Sequence, residues 1–135
     1  MRDRLLDVPD AELAVLKVLW DRGSATIRQI VAVLYPGGES SAHATVQKLL
    51  ERLSQRGCVQ RRRQGRVHVY AADVDRDDLI RHRLREAADR LCEGSLAPLL
   101  TQLVRSPQLT SAEIAELREL VEGLEAGRAG KRGEP

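Results

Sequence analysis

The chain has 135 residues, 42% of them hydrophobic and 31% charged, and a formal net charge of +2 at pH 7. That length suits one ordinary domain, or a compact domain of about 70 residues with a smaller appendage, and argues against a large enzyme. The apolar and charged fractions are those of a globular protein and exclude a wholly disordered chain. Trp20, Tyr35 and Tyr70 are the aromatic residues and there is no Phe, so the core must come from Leu, Val, Ile and Ala, which favours helices.

No apolar run approaches the ~18 to 20 residues needed to span a bilayer, and MRDRLLDVPD lacks the apolar stretch of a signal peptide. A cytoplasmic protein without membrane insertion is therefore expected. Cys58 and Cys92 stand alone in the sequence and read as small core residues in a reducing compartment.

The first helix is predicted to begin near Pro9, which suits a first turn, and to run to Arg22, with Leu13, Leu16, Leu19 and Trp20 at helical spacing and Gly23 as the stop. Ser24 or Thr26 caps a short second helix with apolar positions Ile27, Ile30, Val31 and Leu34, ended by Tyr35-Pro36-Gly37-Gly38. The third helix spans about Ser41 to Arg56. Ser40 or Ser41 is its cap, Val46, Leu49, Leu50 and Leu53 fall at i, i+3, i+4 and i+7, and Gly57 ends it.

From Cys58 to Arg63 and from Arg66 to Ala71 the period changes to that of strands, with Gln64-Gly65 as the turn of a hairpin. Three short helices and an arginine-bearing hairpin make a winged helix-turn-helix, the fold that lays its third helix in the major groove of DNA. Beyond Asp73 the helical period returns. Asp75 caps a helix with stripe Leu79, Ile80, Leu84, Ala87, Ala88 and Leu91; a second carries Leu96, Leu99, Leu100, Leu103 and Val104. A third opens with the capping-box pattern Thr110-Ser111-Ala112-Glu113 and continues through Ile114, Leu117, Val121 and Leu124.

The expected fold class is thus mainly α with a small β-hairpin. Residues 1–72 form a winged-helix DNA-binding domain, 73–126 a three-helix dimerisation region and 127–135 a polar, Gly-rich disordered tail. One apolar stripe per short helix encloses little core, so the C-terminal helices are expected to pack against a second copy of the chain. Leu84, Leu91, Leu99, Leu103, Ile114, Leu117, Val121 and Leu124 are the predicted interface of that homodimer.

Charge supports a nucleic-acid partner. Residues 1–72 hold 12 Lys and Arg against 7 Asp and Glu, whereas 73–135 hold 10 against 13. Within 45–66 the cations are Lys48, Arg52, Arg56, Arg61, Arg62, Arg63 and Arg66, against Glu51 alone, a pattern that fits a polyanion. With Val46, Leu49, Leu50 and Leu53 facing the core, His43, Ala44, Gln47, Lys48 and Glu51 project from the other side of the helix. His43, Thr45, Gln47 and Lys48 are the candidate base-facing residues: Gln47 can pair with adenine and Lys48 with guanine acceptors, while Thr45 can offer its hydroxyl to a phosphate or its methyl to thymine. Ser41, Arg52, Arg61, Arg62, Arg63 and Arg66 are the candidate phosphate contacts, which fix register without reading sequence. A solvated helix face is the plain alternative for Lys48 and Arg52, and a strand guarded against edge pairing for Arg61-Arg62-Arg63.

His43, His68 and His82 lack a metal-ligand spacing, and no glycine-rich phosphate loop or framed nucleophile occurs. No catalytic residue, metal or cofactor is expected.

The segments AELAVLKVLW, TIRQI, TVQKLLERLSQRGCV, GRVHVYAADVDRDDL, LCEGSLAPLLTQLV and LTSAEIAELREL, in that order, resemble the penicillinase-repressor (BlaI/MecI) family of winged-helix regulators. The resemblance covers nearly the whole chain. It implies a homodimer joined through C-terminal helices that binds an inverted-repeat operator and blocks transcription, with β-lactamase or cell-wall stress genes as targets. A membrane sensor protease that cleaves the repressor is the implied partner. In the family the residue matching Thr45 lies at the DNA contact face and the one matching Arg52 follows it. The chain has Lys48 where the family often has a second Thr, and Gln102-Leu103 where its Asn-Phe cleavage bond aligns. The C-terminal cysteine cluster of the family's copper-responsive branch does not occur. A winged-helix protein-interaction module without DNA binding is the alternative function.

Overall fold

The computed structural model describes residues 8–38 and 40–132, as six helices and one antiparallel hairpin: α1 (Asp10–Arg22), α2 (Ile27–Leu34), α3 (Ala42–Gln55), β1 (Val59–Gln64), β2 (Val67–Ala72), α4 (Arg76–Leu91), α5 (Ala97–Arg105) and α6 (Ser111–Arg132). The chain divides into two compact units between Glu86 and Ala87.

The first unit is a winged helix. Pro9 is the N-cap of α1, so the helix begins at Asp10, one position after the expected start, and Gly23, at φ 83°, turns its N–H back to the Leu19 carbonyl at 2.8 Å. That left-handed turn suits glycine, which has no Cβ to clash. Thr26, not Ser24, caps α2 through a reciprocal capping box: its hydroxyl accepts from the Gln29 N–H at 3.2 Å and the Gln29 side chain accepts from the Thr26 N–H at 2.9 Å. Val15, Leu16, Leu19, Ile30, Val46, Leu50 and Leu53 form the centre of the core, and Cys58, Val59, Tyr70 and Leu79 close it. Burying each such Leu or Ile side chain stabilises the fold by about 1.5–3 kcal/mol.

The hairpin pairs Val59 with Ala72 and Gln64 with Val67, so the two-residue loop is Gly65-Arg66. This corrects the expected Gln64-Gly65 turn by one position. Gly65 has φ 66° and Arg66 is not among the positive-φ residues, which is the preference of a type II′ loop, with glycine first. Ala25, between α1 and α2, exchanges both backbone hydrogen bonds with Tyr70 at 2.8 and 2.9 Å. That bridge fixes the base of the hairpin to the helical layer.

The first half of α4 belongs to this unit. The Trp20 indole N–H donates to the Val74 carbonyl at 2.8 Å, the Arg76 guanidinium lies 5.3 Å from the Trp20 ring centroid, and Arg76 pairs with Asp21 at 3.2 Å. Arg83 donates to the Val8 carbonyl at 2.8 Å and Leu79 is buried in the core. The unit accordingly extends beyond Ala72, where the apolar periodicity alone suggests a division.

In the second unit, Leu96 is the N-cap of α5 and Pro98 falls in its first turn, where a missing N–H costs nothing. Thr110 and Glu113 form the expected capping box of α6: the Glu113 carboxylate accepts from the Thr110 N–H at 3.1 Å and the Thr110 hydroxyl accepts from the Glu113 N–H at 3.1 Å. The bond from the Thr110 N–H, with a second that the Thr110 hydroxyl donates to the same carboxylate at 3.0 Å, holds the Glu113 carboxyl below the ordinary glutamate value. Helix α6 runs through Gly127 to Arg132, where the sequence suggested an unstructured tail. Isolated glycines cost a helix only about 1 kcal/mol each, and no proline interrupts this one; residues 133–135 lie outside the described residues. None of the helices is long and apolar enough to cross a membrane among the described residues.

Candidate nucleic-acid interface

Helix α3 owes its orientation to one buried stripe and a well-formed end. Ala42, Val46, Leu49, Leu50 and Leu53 are buried, and α3 packs against α1, α2 and β1. At its C-terminus the Cys58 N–H reaches the Leu53 carbonyl at 2.8 Å and the Gly57 N–H the Ser54 carbonyl at 3.0 Å, with Gly57 at φ 74°. This is a Schellman closure.

The opposite side of α3 is solvent-exposed from His43 through Gln55: His43, Ala44, Thr45, Gln47, Lys48, Glu51, Arg52, Ser54 and Gln55 all stand clear of the core. The four expected base-facing residues are therefore all accessible, with Lys48 opposite the buried stripe, Gln47 beside it, and His43 and Thr45 on the two flanks. Ser41 is the N-cap but makes no side-chain capping bond, and its carbonyl accepts from both the Thr45 N–H and the Thr45 hydroxyl at 3.0 Å. With its proton committed to that bond, the Thr45 hydroxyl can only accept from a new partner, and its methyl is the more useful contact.

Sequence reasoning missed the ion pair that anchors this helix. Glu12 on α1 is 1% exposed, and its Oε1 accepts from Arg56 Nε at 3.0 Å. Arg56 is thus committed to the fold and drops out of the exposed cations of residues 45–66. The pair spans 44 positions in sequence, so no local spacing announces it.

Strand alternation separates the hairpin arginines. Arg61 opposes Tyr70 and Arg63 opposes His68, whereas Arg62 opposes Val69; directly opposed residues share a face, and neighbours along a strand point to opposite ones. Arg61 shares a groove with Glu51, Ser54, Gln55, Val59 and Tyr70 of the α3 side. Arg62 lines a second groove with Gly23, Ser24, Gln60 and Ala71, and Arg63 also reaches that groove. Arg63, near the tip, donates through Nε to the Gly65 carbonyl at 3.2 Å, and Arg66 is exposed in the turn itself. The four hairpin arginines among the expected phosphate contacts therefore surround the hairpin and do not form a single row, while Ser41 and Arg52 lie on α3. Among the described residues no three His, Cys, Asp or Glu side chains are grouped so as to hold a metal ion.

The family model described as penicillinase repressor matches residues 8–123. The chain belongs to the penicillinase repressor family. The penicillinase repressor of Bacillus licheniformis is 30% identical over 114 residues, covering 84% of this chain and 88% of that one. The methicillin resistance regulatory protein MecI of Staphylococcus aureus strain N315 is 22% identical over 117 residues, covering 87% and 94%. Among solved structures, the solution structure of the DNA-binding domain of the repressor BlaI is 33% identical, covering 53% of this chain and 87% of that chain with a TM-score of 0.47. The family is one of repressors and not of enzymes.

Proposed function

We propose that this penicillinase-repressor family member acts as a homodimer on an inverted-repeat operator in double-stranded DNA, with α3 in the major groove and the hairpin on the flanking phosphates. The observation that carries the reading is the exposed face of α3, where polar and cationic side chains that suit base edges adjoin an arginine-rich hairpin. His43, Thr45, Gln47 and Lys48 face the bases; Ser41, Arg52, Arg61, Arg62, Arg63 and Arg66 hold the backbone. The names of the relatives, penicillinase repressor and methicillin resistance regulatory protein, favour genes of β-lactam resistance or cell-wall stress as targets.

Dimerisation is argued from apolar surface. In the second unit Leu91 is 78% exposed, Val104 65%, Leu120 64% and Leu124 58%, and Leu100, Leu103, Ile114 and Val121 are also exposed. Val104, Leu109, Ile114, Leu117 and Val121 line one shallow apolar groove. An exposed apolar groove with further exposed leucines and valines on the same unit marks an association site, and a second copy would supply the matching face. Leu100, Val104 and Leu120 join the interface residues expected from sequence, Leu84, Leu91, Leu99, Leu103, Ile114, Leu117, Val121 and Leu124. The partner protease implied by the family resemblance would cut at Gln102-Leu103, within α5, so cleavage there requires that helix to open first.

Footprinting on a duplex selected from a random library tests the reading. Two protected segments centred about 34 Å apart on one face of the duplex are expected. A single protected segment would refute the dimeric mode, and no duplex binding at low salt would leave the protein-interaction alternative.

A further inference from the structure

Seven Lys and Arg and one acid lie within residues 45–66, and that acid, Glu51, occupies the middle of the face offered to DNA. At ~100° per residue along a helix, the line opposite the buried stripe of α3 passes through Ala44, Lys48, Glu51 and Gln55. Glu51 is exposed and forms no ion pair among the described residues, although Lys48 stands one turn before it and Arg52 follows it. It also borders the groove between α3 and the hairpin, which Arg61 shares.

An uncompensated carboxylate in such a place opposes phosphates and can only accept hydrogen bonds. In the major groove, guanine presents the acceptors N7 and O6 and thymine the acceptor O4, so either would leave the carboxylate facing another acceptor. Adenine offers its N6 amine beside the acceptor N7. Cytosine offers its N4 amine, the usual partner of a carboxylate there. A residue that weakens binding to every duplex but one class supplies selectivity by penalty, which a wholly cationic face cannot do.

We propose that Glu51 is a specificity-determining residue, accepting from the N4 amine of one cytosine in each half-site and penalising duplexes that place an acceptor at that position. The inference rests on the DNA-binding reading given above. It assigns Glu51 the discrimination, while Arg52 and the hairpin arginines supply the affinity.

Selection from a randomised duplex library with the full-length wild type and with Glu51→Gln tests it. The wild type should enrich a C·G pair at one position per half-site. Glu51→Gln should lose that preference in favour of A·T, because glutamine pairs with adenine. Discrimination at that position should fall on the order of ten-fold, and binding to a duplex without the site should tighten several-fold. Because Glu51 is exposed, the variant should melt with the wild type by circular dichroism. Identical enriched sequences and equal non-specific affinity would overturn the role of Glu51 and leave DNA binding standing. Failure of the wild type to enrich any duplex would overturn both.

Discussion

Replacing Arg56 with methionine isolates the Glu12 ion pair. Methionine keeps much of the aliphatic bulk of the side chain and removes its charge, leaving a carboxylate at 1% exposure without its only ion-pair partner among the described residues, previously 3.0 Å away. Breaking a fully buried pair from one side costs about 3–5 kcal/mol. Here the Arg56 side chain is 28% exposed, so solvent already screens part of the interaction and about 2–3 kcal/mol is the expected loss. At ~4–8 °C per kcal/mol for a unit of this size, the melting temperature should drop by roughly 8–24 °C, read by far-ultraviolet circular dichroism and by Trp20 fluorescence. The double variant Glu12→Leu, Arg56→Met should recover most of the loss, because it removes the desolvated charge along with its partner. A loss below about 0.5 kcal/mol in Arg56→Met, or a double variant less stable than the single one, would refute this account of the pair.

Four further substitutions probe other parts of the structure. Glu93 holds a left-handed backbone, φ 52°, between α4 and α5, so Glu93→Gly should raise stability by about 1 kcal/mol in urea titration, and a loss would show that the strain is absent. Because the folded-state value of Glu113 is lowered by its bonds to Thr110, its contribution is present above the ordinary glutamate value and fades as pH falls through the lowered one. Glu113→Gln should abolish that part of the acid sensitivity, followed as helix content against pH. Lys48→Ala should change base preference at one operator position, while Arg62→Ala should weaken binding to all sequences alike; equal, uniform losses in both would contradict the division between base-facing and phosphate-facing residues.

The features legible in the sequence were those fixed by neighbours along the chain. The buried stripe Val46, Leu49, Leu50, Leu53 followed from helical period, Gly57 from the need for a left-handed closure, and the Thr110–Glu113 box from a four-residue pattern. The hairpin was legible as two strands, but its loop was read one residue early, since glycine can be either member of a two-residue turn and only the pairing of Gln64 with Val67 decides. The features that escaped join distant segments: Glu12 with Arg56, Ala25 with Tyr70, and Trp20 with Val74. Their residue types are ordinary, and their meaning arises only when the chain is folded. The separation of Arg62 from Arg61, which line different grooves, was available in principle from strand alternation. A run of identical charges conceals that alternation unless the register is known.

The central claim is that α3 and the hairpin bind duplex DNA through their exposed cations, and the salt dependence of that binding tests it most directly. Five candidate phosphate-contacting arginines per protomer, Arg52, Arg61, Arg62, Arg63 and Arg66, set a limiting slope of log affinity against log salt of about −9 for a dimer that engages them all. Fluorescence anisotropy on the selected duplex between low and physiological salt should give a steep negative slope that becomes shallower in Arg62→Ala. Affinity that is independent of salt would contradict the account.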